Sequence, residues 1–141
     1  MAATLVDDPA YGGPLKDMIV YENTYITDPT GYGPRAQFRL GEVQSILRAV
    51  LRERMDKQQY DPVKAAHISK HIAEDLREKV KALGCERHKL VIQVTLGQKA
   101  GQATRIASRC LWNAGTDGFA SEFYENESMY CVCQVFAVYF E

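Results

Sequence analysis

The protein has 141 residues, the length of one domain rather than two. Hydrophobic residues make up 46% of the chain and charged residues 25%, so composition excludes a fibrous repeat and wholesale disorder. Its 17 basic and 18 acidic residues give a net charge of −1, which removes the usual electrostatic reason to propose nucleic acid as a partner.

The charges are unevenly spread along the chain. Residues 1–34 carry one base and five acids, residues 35–89 carry thirteen bases and eight acids, and residues 90–141 carry three bases and five acids. This pattern indicates solvated helix faces and a polar tail, or pairing of the acidic front and the basic middle with each other or with partners.

The ends and the cysteines predict a cytoplasmic protein. The chain has neither a basic start followed by an apolar run nor eighteen consecutive apolar residues, so no signal peptide and no membrane insertion is expected. In a reducing compartment, cysteines are expected to be buried thiols. They are Cys85, Cys110, Cys131 and Cys133.

Residues 1–34 contain four of the five prolines and four of the ten glycines, a composition that resists helix formation. Within them lies a β-branched and aromatic run over residues 19–26. We predict an extended N-terminal arm over 1–34, flexible alone and ordered by a partner, followed by the domain proper over 35–141.

Two amphipathic helices are predicted next. Apolar residues recur at three- and four-residue steps from Leu40 to Met55. Asp61 then supplies an N-cap, and Pro62 occupies the first helical position, where its missing N–H costs nothing. A second apolar stripe follows, with Gly84 placed to end the helix.

The rest of the chain is predicted to form four strands. Residues 90–96 alternate, the break at 97–101 precedes a second strand over 104–112, and these two are expected to pair as a hairpin. A second hairpin is expected between residues 119–125 and 129–140. Helices followed by strands indicate an α+β fold with an antiparallel sheet.

The predicted strand over residues 104–112 has two mixed faces. Ile106 and Trp112 share one face with Ser108, whereas Arg105 and Arg109 share the other with apolar residues. Such a strand is typical of a sheet edge or of a crossing to another subunit; an ordinary half-exposed strand with snorkelling arginines is the alternative.

Two pairs of residues have spacings that could form a chemical site. His67 and His71 have the four-residue spacing of a shared metal, but the glutamate that a zinc hydrolase needs between them is missing. Cys85 and His88 could form a nucleophile and base only with an orienting third group, which the sequence does not indicate. Solvent-facing histidines and a structural Cys–His pair are therefore expected.

No enzyme, cofactor or metal is predicted. The loop over residues 97–102 is glycine-containing but is followed by a strand, whereas a phosphate-binding P-loop leads into a helix. A thiol- or metal-dependent enzyme that uses Cys85 with His88, or the pair His67 and His71, is an alternative hypothesis.

Several strings, together with the order of elements, resemble the Tctex-type dynein light chains and are most similar to the Tctex-two-like branch. They are Glu22-Asn23-Thr24-Tyr25-Ile26, Lys89-Leu90-Val91-Ile92-Gln93-Val94, Ser108-Arg109-Cys110-Leu111-Trp112-Asn113, Thr116-Asp117 and the closing aromatic strand. The resemblance covers about residues 20–141. Asn113 departs from the aspartate common at that position.

The resemblance implies two helices packed on a four-stranded antiparallel sheet and a dimer formed by exchange of a strand. It implies a non-catalytic light chain that holds an extended segment of a dynein intermediate chain at a sheet edge and thereby assembles and stabilises the motor. The residues that it assigns to dimerisation and intermediate-chain binding are Thr104, Arg105, Ile106, Ala107, Ser108, Arg109, Cys110, Leu111 and Trp112.

The resemblance also favours a heterodimer with a second Tctex-type light chain over a homodimer. It implies an axonemal or other ciliary and flagellar dynein on microtubules, and thus a cytoskeletal location, with the heavy chain contacted only indirectly. The alternative is a dimeric peptide-binding adaptor of the same fold that acts outside dynein.

Overall fold

The computed structural model describes residues 22–33 and 36–140. In these residues a short 3-10 helix over Pro29–Tyr32 precedes two α-helices and three β-strands. Their bounds, in chain order, are α1 (Leu40–Met55), α2 (Pro62–Lys81), β1 (His88–Gln98), β2 (Gly118–Glu125) and β3 (Met129–Tyr139).

Both predicted helices are confirmed. Five residues of the apolar stripe of α1 are fully buried, including Leu47 and Leu51, whereas Leu40 at its start is exposed. The Asp61 carboxylate caps α2 by accepting hydrogen bonds from the backbone N–H of Val63 at 2.8 Å and of Lys64 at 3.2 Å. Helix α2 ends at Lys81, and Gly84 takes the left-handed backbone conformation that turns the chain toward β1.

The sheet is antiparallel and has the order β1-β3-β2, so β3 is its central strand. Alternate residues of β3 face the helices and are fully buried; these are Met129, Cys131, Cys133, Val135 and Ala137. Helix α1 packs against β2 and helix α2 against β1. The α+β class and the second hairpin are therefore confirmed.

Two strand predictions are wrong for the single chain. The described residues contain three strands instead of four, and residues 104–112 form neither helix nor strand. The expected hairpin between β1 and this segment does not form: β1 pairs with β3 along one edge, and its other edge has no partner among the described residues. The apolar face of β3 matches Leu90, Ile92, Val94 and Leu96 in register, whereas each face of segment 104–112 is mixed.

The strand order imposes a long crossover. Both β1 and β2 run antiparallel to β3, so they are parallel to each other, and the chain must return the length of the sheet between Gln98 and Gly118. The helices occupy one face of the sheet, and segment 104–112 contacts the other. Its two ends lie against Tyr130 and Phe136, which point to that open face of β3.

Part of the predicted N-terminal arm contacts the same chain. The Arg87 guanidinium donates a hydrogen bond to the Glu22 carbonyl oxygen at 3.3 Å, and the Tyr139 hydroxyl donates one to the Ile26 carbonyl oxygen at 2.6 Å. Residues 1–21, including the start of the run 19–26, lie outside the described residues. The arm boundary at residue 34 stays a prediction.

The Asn126 side chain links the hairpin to helix α1. Its amide nitrogen donates to the carbonyl oxygens of Met55 at 3.1 Å and Gln58 at 2.9 Å, while its oxygen accepts from the backbone N–H of Ser128 and Met129, both at 2.9 Å. Asn126 begins a glycosylation sequon, but both of its amide hydrogens are used inside the fold. This geometry matches the turn of the hairpin predicted between residues 119–125 and 129–140.

We expect Asn126→Ala to lower the free energy of unfolding by about 2–3 kcal/mol, because it leaves several part-buried backbone groups without partners. Urea denaturation followed by circular dichroism measures the change. The matched control is Glu127→Ala, which alters an exposed neighbour and should stay within about 0.5 kcal/mol of the parent protein. Equal stabilities of the two variants would contradict this role of Asn126.

Candidate interaction surface

The main feature of the surface is segment 104–112, whose backbone is unpaired. In the described part of the chain, none of its N–H or C=O groups joins a backbone hydrogen bond. Six of its nine residues are exposed, and the Leu111 side chain is 94% exposed. A β-rich stretch with a full row of unpaired N–H and C=O groups is ready to pair with another strand.

Two contacts hold the ends of this segment. The hydroxyls of Thr104 and Tyr130 are 2.8 Å apart, and the ring of Trp112 lies edge-on to Phe136 with their centroids 6.3 Å apart. Gly97 makes the first contact possible, because a Cβ there would lie 2.5 Å from the Tyr130 ring. The anchored ends are six residues apart on β3, roughly 20 Å, so the nine-residue segment has little slack.

The half-buried side chains of the segment share one strand face. Ile106, Cys110 and Trp112 are half-buried, whereas Ser108 of the same face and Arg105 and Arg109 of the other face are exposed. The even spacing of the half-buried residues fits the period of a strand, and it assigns them to the face turned toward the protein. The predicted site residues are therefore brought together as one continuous ribbon.

The open face of the sheet is partly apolar. Val91 is 58% exposed and Phe123 is 54% exposed, and both lie on the face opposite the helices. Phe136 lies in register between Val91 and Phe119, and the rings of Phe119 and Phe136 have centroids 4.9 Å apart. A face of this kind is typical of a surface that another protein covers.

A groove runs between α2 and the free edge of β1. Its larger part has a volume of about 870 Å³ and is lined on the helix side by Ala73, Arg77 and Lys81 and on the strand side by Leu90 and Ile92. A smaller part of about 280 Å³ continues it between the start of α2 and the end of β1. The two parts of the groove together extend along most of the length of β1.

The two edges of the sheet differ. The helix-side residues of β1, from Leu90 to Leu96, pack on the core but stay half-buried because nothing in the described chain covers their outer side. At the other edge, Ala120 of β2 is 1% exposed, and an ion pair of 3.0 Å joins Arg48 of α1 to Glu122 of β2. The β1 edge is the less complete of the two.

The groove at β1 carries excess positive charge. Lys70, Arg77, Lys81 and Lys89 line it together with only two acids, Glu74 and Glu86. Glu74 already faces two bases of its own helix, at 3.9 Å from Lys70 and 3.3 Å from His71. Lys89 lies 4.8 Å above the ring of Phe140, which also lies beneath Arg87.

Cys85 and His88 do not form a nucleophile and base pair. The Cys85 thiol donates to the Gln37 carbonyl oxygen at 3.6 Å, and burial raises its pKa, which disfavours the thiolate. The Nε2 atom of His88 lies 3.0 Å from the Thr116 carbonyl oxygen and therefore carries its proton. Both side chains tie the start of β1 to its neighbours.

The other candidate histidines and cysteines do not form a chemical site in the described residues either. His67 and His71 are exposed on α2. The Cys131 and Cys133 sulfurs lie 3.8 Å apart in the core, where their hydrogen bond and burial raise the pKa of the Cys133 thiol. Residues 22–33 and 36–140 contain no group of three or more His, Cys, Asp or Glu that could hold a metal ion.

Neither helix of the described ranges combines the length and apolar character needed to cross a bilayer.

Sequence reasoning missed the groove and the free edge of β1. It paired β1 with residues 104–112, which would have covered that edge. The signal available was the row of small and basic residues on one side of α2, Ala66, Ala73, Arg77 and Lys81, which lies outside the buried stripe of that helix.

Comparisons of the sequence with known proteins identify its family. A model of the Tctex-1 family matches residues 37–138. The chain is 35% identical over 118 residues to dynein light chain Tctex-type protein 2B of Danio rerio, across 84% of this chain and 77% of the relative. The human protein of the same name is 34% identical over 119 residues, across 84% and 82% of the two chains.

A longer match extends toward the N-terminus. Dynein light chain Tctex-type 5-A of Xenopus laevis is 30% identical over 137 residues, which is 96% of this chain and 75% of the relative. These findings confirm the resemblance seen in the sequence. The chain belongs to the Tctex-1 family.

Proposed function

We propose that this protein is a non-catalytic light chain of a dynein motor complex, which dimerises by exchanging segment 104–112 and binds a segment of a dynein intermediate chain. The observation that carries the proposal is that the same chain has a segment with an unpaired backbone and a β1 edge that no described strand covers. The identity of its relatives as dynein light chains supports the assignment to dynein. The ciliary and axonemal setting belongs to the same proposal.

The β1 edge is the acceptor in this proposal. A strand placed there would cover the half-buried residues from Leu90 to Leu96 and satisfy the outer N–H and C=O groups of β1. It would also fill the groove beneath α2. In a two-fold dimer, each chain donates segment 104–112 and accepts the partner's, so both sheets gain a fourth strand.

The intermediate-chain segment would add to the sheet in turn. A strand added at β1 has an outer edge of its own, and an extended peptide can pair with that edge through main-chain hydrogen bonds. The light chain acts in this way as a clamp that needs no catalytic group.

Proline substitutions test the exchange. We expect Ala107→Pro or Ser108→Pro to weaken dimerisation about tenfold or more, because proline removes a ladder donor and successive donors point to opposite sides of a strand. Sedimentation equilibrium, with and without a second Tctex-type light chain, measures the affinity. The fold of the single chain should persist, since neither residue makes a backbone hydrogen bond in the described chain.

The matched control is Ala114→Pro. Thr116 N–H donates to the Asn113 carbonyl oxygen at 3.2 Å, so Ala114 occupies the second position of a turn, where proline is favoured. We expect this variant to dimerise like the parent protein. If both segment variants also dimerise like the parent, the segment is not exchanged.

Co-purification tests the assignment to dynein. We expect the tagged full chain, expressed in ciliated cells, to bring down dynein intermediate and heavy chains, and expect the proline variant that abolishes dimerisation to lose them. The control is again Ala114→Pro, which should retain them. A dimer that is captured without any dynein chain would replace the proposal by the alternative, an adaptor of the same fold outside dynein.

A further inference from the structure

We propose that electrostatic repulsion disfavours exchange between two copies of this chain and selects a partner whose exchanged strand carries Asp or Glu. The inference rests on the proposed strand exchange and adds to it the chemistry of the partner. The partner is a second Tctex-type chain with an acidic strand, which the basic groove of this chain accepts.

The donated strand is basic. Arg105 and Arg109 are its two charged residues, both are exposed, and neither forms an ion pair with any described residue. Their four-residue spacing places them on one face of a strand, about 13 Å apart. The segment contains no acidic residue that could neutralise them.

The accepting groove is basic as well. Arg77 and Lys81 lie on its α2 wall with no ion pair among the described residues, and Lys89 lies at its β1 wall above Phe140. Glu74 is shared between Lys70 and His71, which leaves Glu86 as the acid not engaged by a described base. The excess charge of the lining is positive whichever face of a donated strand turns toward α2.

Exchange between two identical chains would bring these charges together twice. A two-fold interface repeats every contact, so the two arginines of each strand would lie close to the basic groove of the other chain. Like charges at an interface discriminate against a wrong partner, and a strand with Asp or Glu at these positions converts the repulsion into attraction. By reciprocity, the groove of the partner must accept two arginines and is expected to be acidic.

Charge reversal within this chain tests the inference. The double variant R105E/R109E supplies the acidic strand, so two copies of it should dimerise at least about tenfold more tightly than the parent in about 50 mM NaCl. Sedimentation equilibrium gives the dissociation constants. Salt should act in opposite directions, strengthening the parent dimer and weakening the variant dimer as it rises to about 500 mM.

Two further variants separate local charge from net charge. Adding R77E/K81E to R105E/R109E makes both strand and groove acidic and should cancel the gain in affinity. The double variant Arg52→Glu/Lys64→Glu changes the net charge of the chain by the same amount as R105E/R109E, at exposed helix positions that do not line the groove. It should dimerise like the parent.

Trp112, the single tryptophan, reports on the segment directly, since its fluorescence should shift when the strand leaves Phe136. A dimer of R105E/R109E that is no tighter than the parent dimer, with a shifted Trp112 spectrum, would overturn the charge selection and leave the exchange intact. Absence of any dimer and of any Trp112 shift in all variants, also with a Tctex-type partner, would overturn the exchange itself.

Discussion

The pairing of β3 with both β1 and β2 is the constraint on which the rest of the structure depends. Its helix-side residues, from Met129 to Ala137, are the buried centre of the sheet, so β3 must lie between two neighbours. Because both neighbours run antiparallel to it, the chain between them must return the length of the sheet. Segment 104–112 makes part of this return against the open face of the sheet and stays outside its strands.

Each part of the interaction surface has a cost in the isolated chain. Unpaired N–H and C=O groups are tolerated in segment 104–112 because most of its residues are exposed to water. The apolar walls of the β1 groove stay partly exposed to solvent, because no described strand covers this edge. In the proposed dimer, a donated strand would remove both costs by covering the edge.

The charges near the β1 edge bear on which strand could pair with it. Backbone pairing would admit almost any extended strand at the β1 edge, since main-chain groups are the same in all of them. In the proposed dimer, the basic wall formed by Arg77, Lys81 and Lys89 and the arginines of segment 104–112 would supply the discrimination that the backbone lacks. A near-neutral net charge conceals these two local excesses of the same sign.

The sequence by itself determined the elements whose signals are local. The stripe of α1, the Asp61–Pro62 start of α2 and the turn at Asn126 each depend on residues within a few positions of one another, and all three are found as predicted. The family was also readable, because several strings occur in a characteristic order. Only the tertiary structure decided that β3 lies between β1 and β2 and that residues 104–112 stay outside the sheet. The first of these depends on matching the buried faces of β1 and β3, about forty residues apart in the chain, an energy of packing that no local pattern contains.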